Sequence, residues 1–275
     1  MKKEWQPRNK DLTDGIEFYT YEDLTVAYKY YNKNKNLPTI LFFYGFGGNI
    51  EMLMGIAPKL AERYPVIVVD YPGHCYSFQP KKFDLKKYID LVVDLVIKQG
   101  ISDIYLVGYS FGGIASLLFY QKMKNSIKKL VLLHSDTNFS YNIFKKIFYF
   151  NFHLLLKLNF KFSLVYLAIP LLRDKYFTDE LYKIAKEIVM YNNPKNVIDN
   201  YASIIYKNFD YLLSEVSVPC LVIGSKVDFL VSEKRSKYIQ SKIKSSTLLI
   251  YEDIGHLSIV SRYEKVANDI LSFVG

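Results

Sequence analysis

The hydrophobic pattern alternates between short apolar runs and segments with helical spacing over most of the 275 residues. Runs rich in Val, Ile, Leu and Phe predict buried strands, and apolar positions three or four residues apart predict the helices between them. The predicted strands are 39–44, 66–70, 104–107, 129–134, 218–224 and 247–251, and the predicted helices are 51–63, 85–98, 113–123, 232–243 and 263–273. A hairpin is predicted from 15–19 and 24–31. Because strands and helices alternate, we predict an α/β fold with a mostly parallel, doubly wound sheet.

The alternation stops near residue 136 and resumes at residue 218. The intervening residues are dense in Phe, Tyr, Leu and Lys and contain several helical stretches. We predict one sheet domain, residues 1–135 and 215–275, interrupted by a mostly helical segment, residues 136–214, which we call the cap.

Composition and charge narrow the class of protein. Half of the residues are hydrophobic, which suits a globular chain with a large core. The net charge of +9 comes from lysines scattered among acids without a recognised binding motif, so we predict no nucleic-acid partner. The first residues lack the apolar stretch of a signal peptide, no apolar run is long enough to span a bilayer, and Cys75 and Cys220 are the only cysteines. These features predict a soluble, cytoplasmic protein.

The motif Gly-Tyr-Ser-Phe-Gly at residues 108–112 lies between a predicted strand and a predicted helix. Small residues on both sides of Ser110 allow a sharp turn that holds the serine at the head of the helix. The positive end of a helix dipole favours a developing anion there. Ser110 is therefore the candidate nucleophile.

A serine nucleophile needs a base, and the chain has four histidines. His256 follows the last predicted strand and should share the carboxyl edge of the sheet with Ser110. His134 ends a strand and His153 lies within the apolar cap, so both are interpreted as structural. His256 is the candidate base.

The acid that orients this base should also follow a strand. Asp228 follows strand 218–224 and gives the chain order Ser110, Asp228, His256. Asp136 follows the strand before the cap and is the competing candidate. Asp228 is preferred as the orienting acid.

Backbone N–H donors must face the negative charge that develops on the attacked carbonyl. Phe111 directly follows the candidate nucleophile, and its N–H is one candidate donor. The glycine-rich loop 45–48 follows the first core strand, and glycines let backbone approach a substrate closely. The N–H of Phe46 is the second candidate donor.

Taken together, these motifs resemble those of the cap-bearing α/β-hydrolases, near the esterase, cofactor-free haloperoxidase and carbon–carbon hydrolase groups. The matching segments, in the family's order, are 44–48, 70–74, 108–112, 224–228 and 255–256. The resemblance implies an α/β-hydrolase fold, a triad of Ser110, Asp228 and His256, and no cofactor or metal. A serine at position 110, where other branches carry Asp, disfavours the haloalkane dehalogenase and epoxide hydrolase branches.

Two positions depart from the family pattern. Tyr44 stands where a histidine usually braces the oxyanion loop, and Cys75 stands where a glycine is usual after Pro-Gly-His. The first departure affects the shape of the loop, and the second affects the turn at the mouth of the pocket.

The cap guides the prediction of the substrate. Residues 142–173 carry many aromatic residues and five cations but no acid. An aromatic lid would exclude water and select apolar groups, which predicts a small or medium apolar ester or thioester. Contact with a lipid surface is a weaker hypothesis, since no clean amphipathic period places lysines on one face. The alternative functions are a carbon–carbon bond hydrolase or lyase, and a ligand-binding protein without turnover.

Overall fold

A computed structural model describes residues 15–33, 36–140 and 143–275. One eight-stranded sheet has the order β1-β2-β4-β3-β5-β6-β7-β8. The strands are β1 Ile16–Tyr21, β2 Leu24–Tyr31, β3 Thr39–Phe43, β4 Val66–Val69, β5 Ile104–Tyr109, β6 Ile127–Leu133, β7 Cys220–Ser225 and β8 Ser246–Tyr251. Pairing is antiparallel from β1 to β2 and from β2 to β4, and parallel across the remainder. The predicted hairpin and the predicted mostly parallel sheet are confirmed.

The central strands are apolar on both faces because helices cover both sides of the sheet. Every residue of β3 and β4 is buried. The helices are α1 Ile56–Ala61, α2 Leu85–Lys98, α3 Phe111–Met123, α4 Ile143–Leu158, α5 Ile169–Leu172, α6 Asp179–Met190, α7 Pro194–Ala202, α8 Glu233–Lys242, α9 Ser258–Ser261 and α10 Tyr263–Val274. Among the described residues, no helix is long and apolar enough to cross a bilayer.

The predicted helix 51–63 is wrong as a continuous element. The chain forms a 3₁₀ turn, Ile50–Leu53, and then the short helix α1. Pro58 has no N–H and is tolerated only in the first turn, which prevents an α-helix from running through from residue 51. Gly55 lies at the break, where a Cβ would come 3.1 Å from the ring of Tyr263.

The cap residues from α4 to α7 lie between β6 and β7 in the chain. A π-helix, Phe162–Ala168, connects α4 to α5. Buried side chains of these elements form a second hydrophobic cluster beside the main core, and the cluster includes Leu156, Val165, Val189 and Val197. The second predicted boundary lies where side chains return to the main core, as Leu212 and Leu213 do. The domain division at 136 and 214 stays a prediction.

Candidate active site

Ser110 occupies a strained turn between β5 and α3. Its backbone has φ 53° and ψ −119°, outside the regions that ordinary residues favour. The glycines on both sides of Ser110 allow this turn because neighbouring atoms leave no room for a side chain at either position. A Cβ on Gly108 would lie 2.5 Å from Ser116 Oγ, and one on Gly112 would lie 2.1 Å from the carbonyl oxygen of Phe43. The structure therefore places Ser110 at a sharp strand-to-helix turn.

The three predicted polar residues come together at the carboxyl edge of the sheet. His256 Nε2 lies 3.0 Å from Ser110 Oγ, and His256 Nδ1 lies 2.8 Å from Asp228 Oδ2. The hydroxyl of Tyr109 donates to the carbonyl oxygen of His256 at 2.9 Å and so fixes the backbone that carries the imidazole. With Nδ1–H donating to the carboxylate, Nε2 is the acceptor for the serine proton.

The Asp228 carboxylate is held on both oxygens. Its Oδ1 accepts the N–H groups of Leu230 at 2.8 Å and Val231 at 2.9 Å, which leaves Oδ2 for the imidazole. Burial alone would raise the pKa of Asp228, but the neighbouring His256 and His134 lower it well below its usual value. The carboxylate is ionised at neutral pH.

His134 is a part of this site that the sequence reasoning missed. Its Nδ1 lies 3.2 Å from Asp228 Oδ2, and its Nε2 lies 3.0 Å from Ser258 Oγ. The residue follows β6 with φ 46° and its side chain is fully buried, which lowers its pKa. The only available signal was its place at a strand end, and that also fits a structural residue. His134 and His256 thus face the same carboxylate oxygen, with their ring centroids 5.7 Å apart.

Neither Asp136 nor His153, the other residues weighed from sequence, contacts the candidate base, although Asp136 lines the cavity that contains Ser110. The carboxylate of Asp136 is paired with Arg235 Nε at 2.5 Å. His153 lies on α4 and stacks on the ring of Tyr201 within the cap, with ring centroids 6.0 Å apart. The structure thus brings Asp228, and not Asp136, against the candidate base.

The glycine-rich loop packs directly on the serine turn. A Cβ on Gly45 would lie 2.8 Å from the ring of Tyr109 and 3.1 Å from Ser110 Cβ, so this position requires the smallest residue. Phe46 and Phe111 both line the cavity that contains Ser110. Phe111 is the first residue of α3, where N–H groups have no partner within the helix. Both candidate donors therefore lie beside the serine.

Tyr44 braces the glycine-rich loop 45–48, at the position where the α/β-hydrolase pattern usually has a histidine. Its hydroxyl donates to Asp70 Oδ1 at 3.0 Å and accepts the N–H of Tyr71 at 2.8 Å. Asp70 also accepts the N–H of Ile50 at 2.7 Å, just beyond the loop. A buried tyrosine and aspartate thus connect the ends of β3 and β4.

Cys75 occupies a turn that favours glycine. Its φ of 40° lies in the left-handed region, which explains why a glycine is usual at this position. The N–H of Cys75 donates to Asn192 Oδ1 at 3.2 Å, so the turn is attached to the cap.

Two cap side chains contact the loops of the site, and sequence reasoning missed both. The Nδ2 of Asn192 donates to the carbonyl oxygens of Gly47 at 2.8 Å and Gly48 at 3.2 Å. The Oδ2 of Asp174 accepts the N–H of Gly255, directly before the candidate base, at 2.7 Å. Neither residue lies in a recognised motif. Each contacts loops that are distant in the sequence, so no local pattern marks it.

A cavity of about 360 Å³ lies over Ser110 between the sheet and the cap. Its lining is predominantly apolar, and its cap side includes Leu155, Leu164, Leu167, Ala185 and Val189. The volume falls within the range of roughly 300 to 1,000 Å³ typical of small-molecule sites. The nucleophile candidate therefore faces an apolar, partly enclosed space.

His134, Asp228 and His256 bring their possible ligand atoms within 4.8 Å of one another, a spacing that a metal ion could also use. Their contacts with one another, with Ser110 and with Ser258 account for the same spacing as hydrogen bonds and a buried charge interaction. The arrangement is suited to moving a proton between a serine and an imidazole.

Comparisons with known proteins identify the fold family. A family model described as the alpha/beta hydrolase fold matches residues 38–263. Lipase 1 of Psychrobacter immobilis is 24% identical over 257 residues, which cover 88% of this chain and 79% of the lipase. Two solved structures share the fold over 94% of this chain, each at 17% identity. They are an esterase from Exiguobacterium antarcticum, with TM-score 0.86 and 98% of its chain covered, and a bromoperoxidase from Bacillus anthracis, with TM-score 0.85 and 99% covered.

The family match spans most of the chain and includes the serine turn, the loop of Phe46 and the loop of His256. Because this match spans more than half of the chain, the chain belongs to the α/β-hydrolase fold family, and the proteins it resembles include one named as a lipase and one named as an esterase.

Proposed function

We propose that the protein hydrolyses a small or medium apolar carboxylic ester, or the corresponding thioester, through an acyl-enzyme. The observation that carries the proposal is the hydrogen-bonded series from Ser110 through His256 to Asp228 at the base of an apolar cavity. The relatives named as a lipase and an esterase support the same class of bond.

In the first half of the reaction, Ser110 Oγ attacks the carbonyl carbon while His256 Nε2 takes its proton. Asp228 stabilises the resulting imidazolium and keeps the ring oriented. The N–H groups of Phe46 and Phe111 donate to the oxyanion of the tetrahedral intermediate. When the intermediate collapses, His256 gives the proton to the departing alcohol or thiol, and the acyl group remains on Ser110.

In the second half, water replaces the alcohol. His256 takes a proton from the water, the hydroxide attacks the acyl-enzyme, and the same N–H donors stabilise the second oxyanion. Collapse then returns the proton to Ser110 and releases the carboxylic acid. Both steps use only side chains, backbone N–H groups and water.

The cavity supports an apolar acyl or alkyl group. Its apolar lining offers few partners to a charged substrate, and burying an unpaired charge there would be costly. We expect a medium acyl chain to fill the space better than acetyl, and a long chain to extend beyond it.

The test is hydrolysis of p-nitrophenyl esters from acetate to palmitate by the wild-type protein and by Ser110→Ala. We expect turnover that depends on Ser110 and has an optimum at medium chain length. Equal turnover by the variant would refute the assigned nucleophile. A folded protein with negligible turnover across the series would point instead to carbon–carbon cleavage or ligand binding.

A further inference from the structure

A line of exposed apolar side chains runs along α4 and the π-helix of the cap. The residues follow one another at spacings of three or four and are 46% to 73% exposed: Ile147, Phe150, Leu154, Leu158, Phe162 and Tyr166. The rings of Phe162 and Tyr166, which are both on the π-helix, lie 5.7 Å apart. We call these six residues the apolar line.

The opposite side of the same helical segment is already buried. Leu156, Phe160 and Leu164 pack in the hydrophobic cluster of the cap. The segment is therefore apolar around most of its circumference. For this reason the sequence shows no clean amphipathic period there. One face stabilises the cap, and the other is exposed in the described structure.

The charged residues of the segment that carries the apolar line are all basic. From residue 137 to residue 173 the chain contains no Asp or Glu. Lys157 and Lys161 are exposed, and neither is paired with an acid among the described residues. Lys186 lies 5.8 Å from the ring centroid of Tyr166 and adds a cation at the far end, whereas Arg173 is paired with Asp179.

The apolar line also adjoins the mouth of the active-site cavity. Leu155 on α4 and Leu171 on α5 are 39% and 55% exposed, and both line the cavity. Phe229, which follows Asp228, is 62% exposed and contributes to the same lining. Part of the cavity lining is therefore both apolar and exposed, and one of these side chains, Leu155, lies on the same helix as the apolar line.

We propose that the apolar line is a docking surface for membranes that contain anionic lipids. Aliphatic and aromatic side chains enter the acyl boundary, and the adjacent lysines contact anionic headgroups. This occupant is favoured because its negative charge complements an acid-free basic segment, and its acyl region complements the apolar line. Docking would place the cavity mouth at the lipid surface.

The test uses the full chain and sedimentation with two kinds of vesicle, phosphatidylcholine alone and phosphatidylcholine with phosphatidylglycerol. We expect binding to the anionic vesicles that weakens as salt is raised. The double variant Leu154→Glu, Leu158→Glu should lose at least about tenfold in partitioning, because both side chains lie on the apolar line. Ile97→Glu is the matched control, since Ile97 is 58% exposed on α2, and it should bind as the wild type does.

A second variant separates charge from apolar insertion. Lys157→Glu, Lys161→Glu should lose binding to anionic vesicles while leaving the apolar line intact. Thermal unfolding of every variant should match that of the wild type, which shows that lost binding is not lost folding. Failure of the wild type to sediment with anionic vesicles, or equal sedimentation of the Leu154 and Leu158 variant, would overturn the proposal. A dimer that these substitutions dissociate, without any vesicle binding, would assign the surface to a second copy.

The vesicle assay does not depend on the proposed esterase reaction. Ser110→Ala should bind vesicles as the wild type does, because Ser110 lies inside the cavity. A protein that binds vesicles but hydrolyses no ester would keep the docking surface and refute the proposed function. A protein that hydrolyses esters and binds no vesicle would keep the proposed function and refute the docking surface.

Discussion

The carboxyl edge of the sheet and the cap contribute to one site in different ways. The sheet edge supplies the proposed reacting groups, since Ser110, Asp228 and His256 follow β5, β7 and β8 and meet within hydrogen-bonding distance. The cap supplies apolar lining and two polar braces, Asn192 and Asp174, which contact loops of the sheet edge. The proposed chemistry therefore belongs to the strand ends, whereas we expect substrate choice and loop shape to depend on the cap.

The two regions also differ in how tightly the backbone is determined. Parallel pairing across β3, β5, β6, β7 and β8 fixes the relative positions of the loops at the sheet edge. The cap contacts these loops through side chains such as Asn192 and Asp174, through the N–H of Asn193, which donates to Gly73, and through its hydrophobic cluster. We expect single substitutions of these side chains to change the contribution of the cap while the sheet remains intact.

The largest expected effect comes from removing the nucleophile. Ser110→Ala should lower kcat/KM for the best p-nitrophenyl ester by on the order of 10⁴ or more, because no acyl-enzyme can form. Steady-state kinetics measures this loss, and thermal unfolding checks that the variant folds. A loss of less than tenfold would place the chemistry elsewhere.

A cap substitution should have the next largest effect if the cap shapes the oxyanion loop. Asn192→Leu removes the donors to Gly47 and Gly48, so we expect kcat to fall by on the order of 10² with a smaller change in KM. Asn193→Ala is the matched control, because its side chain bonds Gln79 and the start of α7 instead. Equal losses in both variants would indicate general damage to the cap.

Replacing His134, the second imidazole beside Asp228, should have a smaller effect on kcat, because this residue positions the carboxylate and does not contact substrate. His134→Gln keeps a polar side chain but removes the ring beside Asp228 Oδ2, and we expect kcat to fall roughly tenfold with KM nearly unchanged. The pH–rate profile should change as well, since Asp228 loses one of the two imidazoles that lower its pKa. A loss of stability with an unaltered kcat and pH profile would make His134 purely structural.

Filling the cavity from the cap should change selectivity. Ala185→Phe places a large ring in the apolar lining, so the ratio of activity on medium to short acyl chains should fall by roughly tenfold. Ile184→Phe on the same helix is the control, because Ile184 is exposed and does not line the cavity. An unchanged chain-length profile would remove α6 from the substrate site.

The smallest expected effect concerns stability beneath the sheet edge. Burial raises the pKa of Asp70 to about 8 from 3.8, so the folded state holds this proton more tightly than the unfolded chain does. Its contribution to the free energy of unfolding is therefore complete below pH 3.8 and is lost as the pH rises through about 8. Asp70→Asn stays neutral, so the wild type should lose stability relative to this variant between pH 5 and 8.5 in urea unfolding. Parallel stability curves would contradict a raised pKa.

Local pattern was enough to predict most of the sheet and part of the site. Apolar runs gave the central strands, and the glycine-flanked serine between a strand and a helix predicted the turn that holds Ser110. The predicted continuous helix 51–63 was wrong, although Pro58 in the sequence carried the signal for a break. The triad's catalytic role, the oxyanion donors and the domain bounds stay predictions.

Only the tertiary structure shows which distant side chains come into contact. Asp228 and Asp136 both follow strands, and only the fold shows the first against His256 and the second against Arg235. His134 and Asn192 contact the site through partners at least 94 residues away in the chain. The exposed face of α4 was hidden because both faces of the helix are apolar. A periodic pattern reports what one helix or strand buries, but it carries no information on which distant polar group or solvent-exposed face the folded chain places beside it.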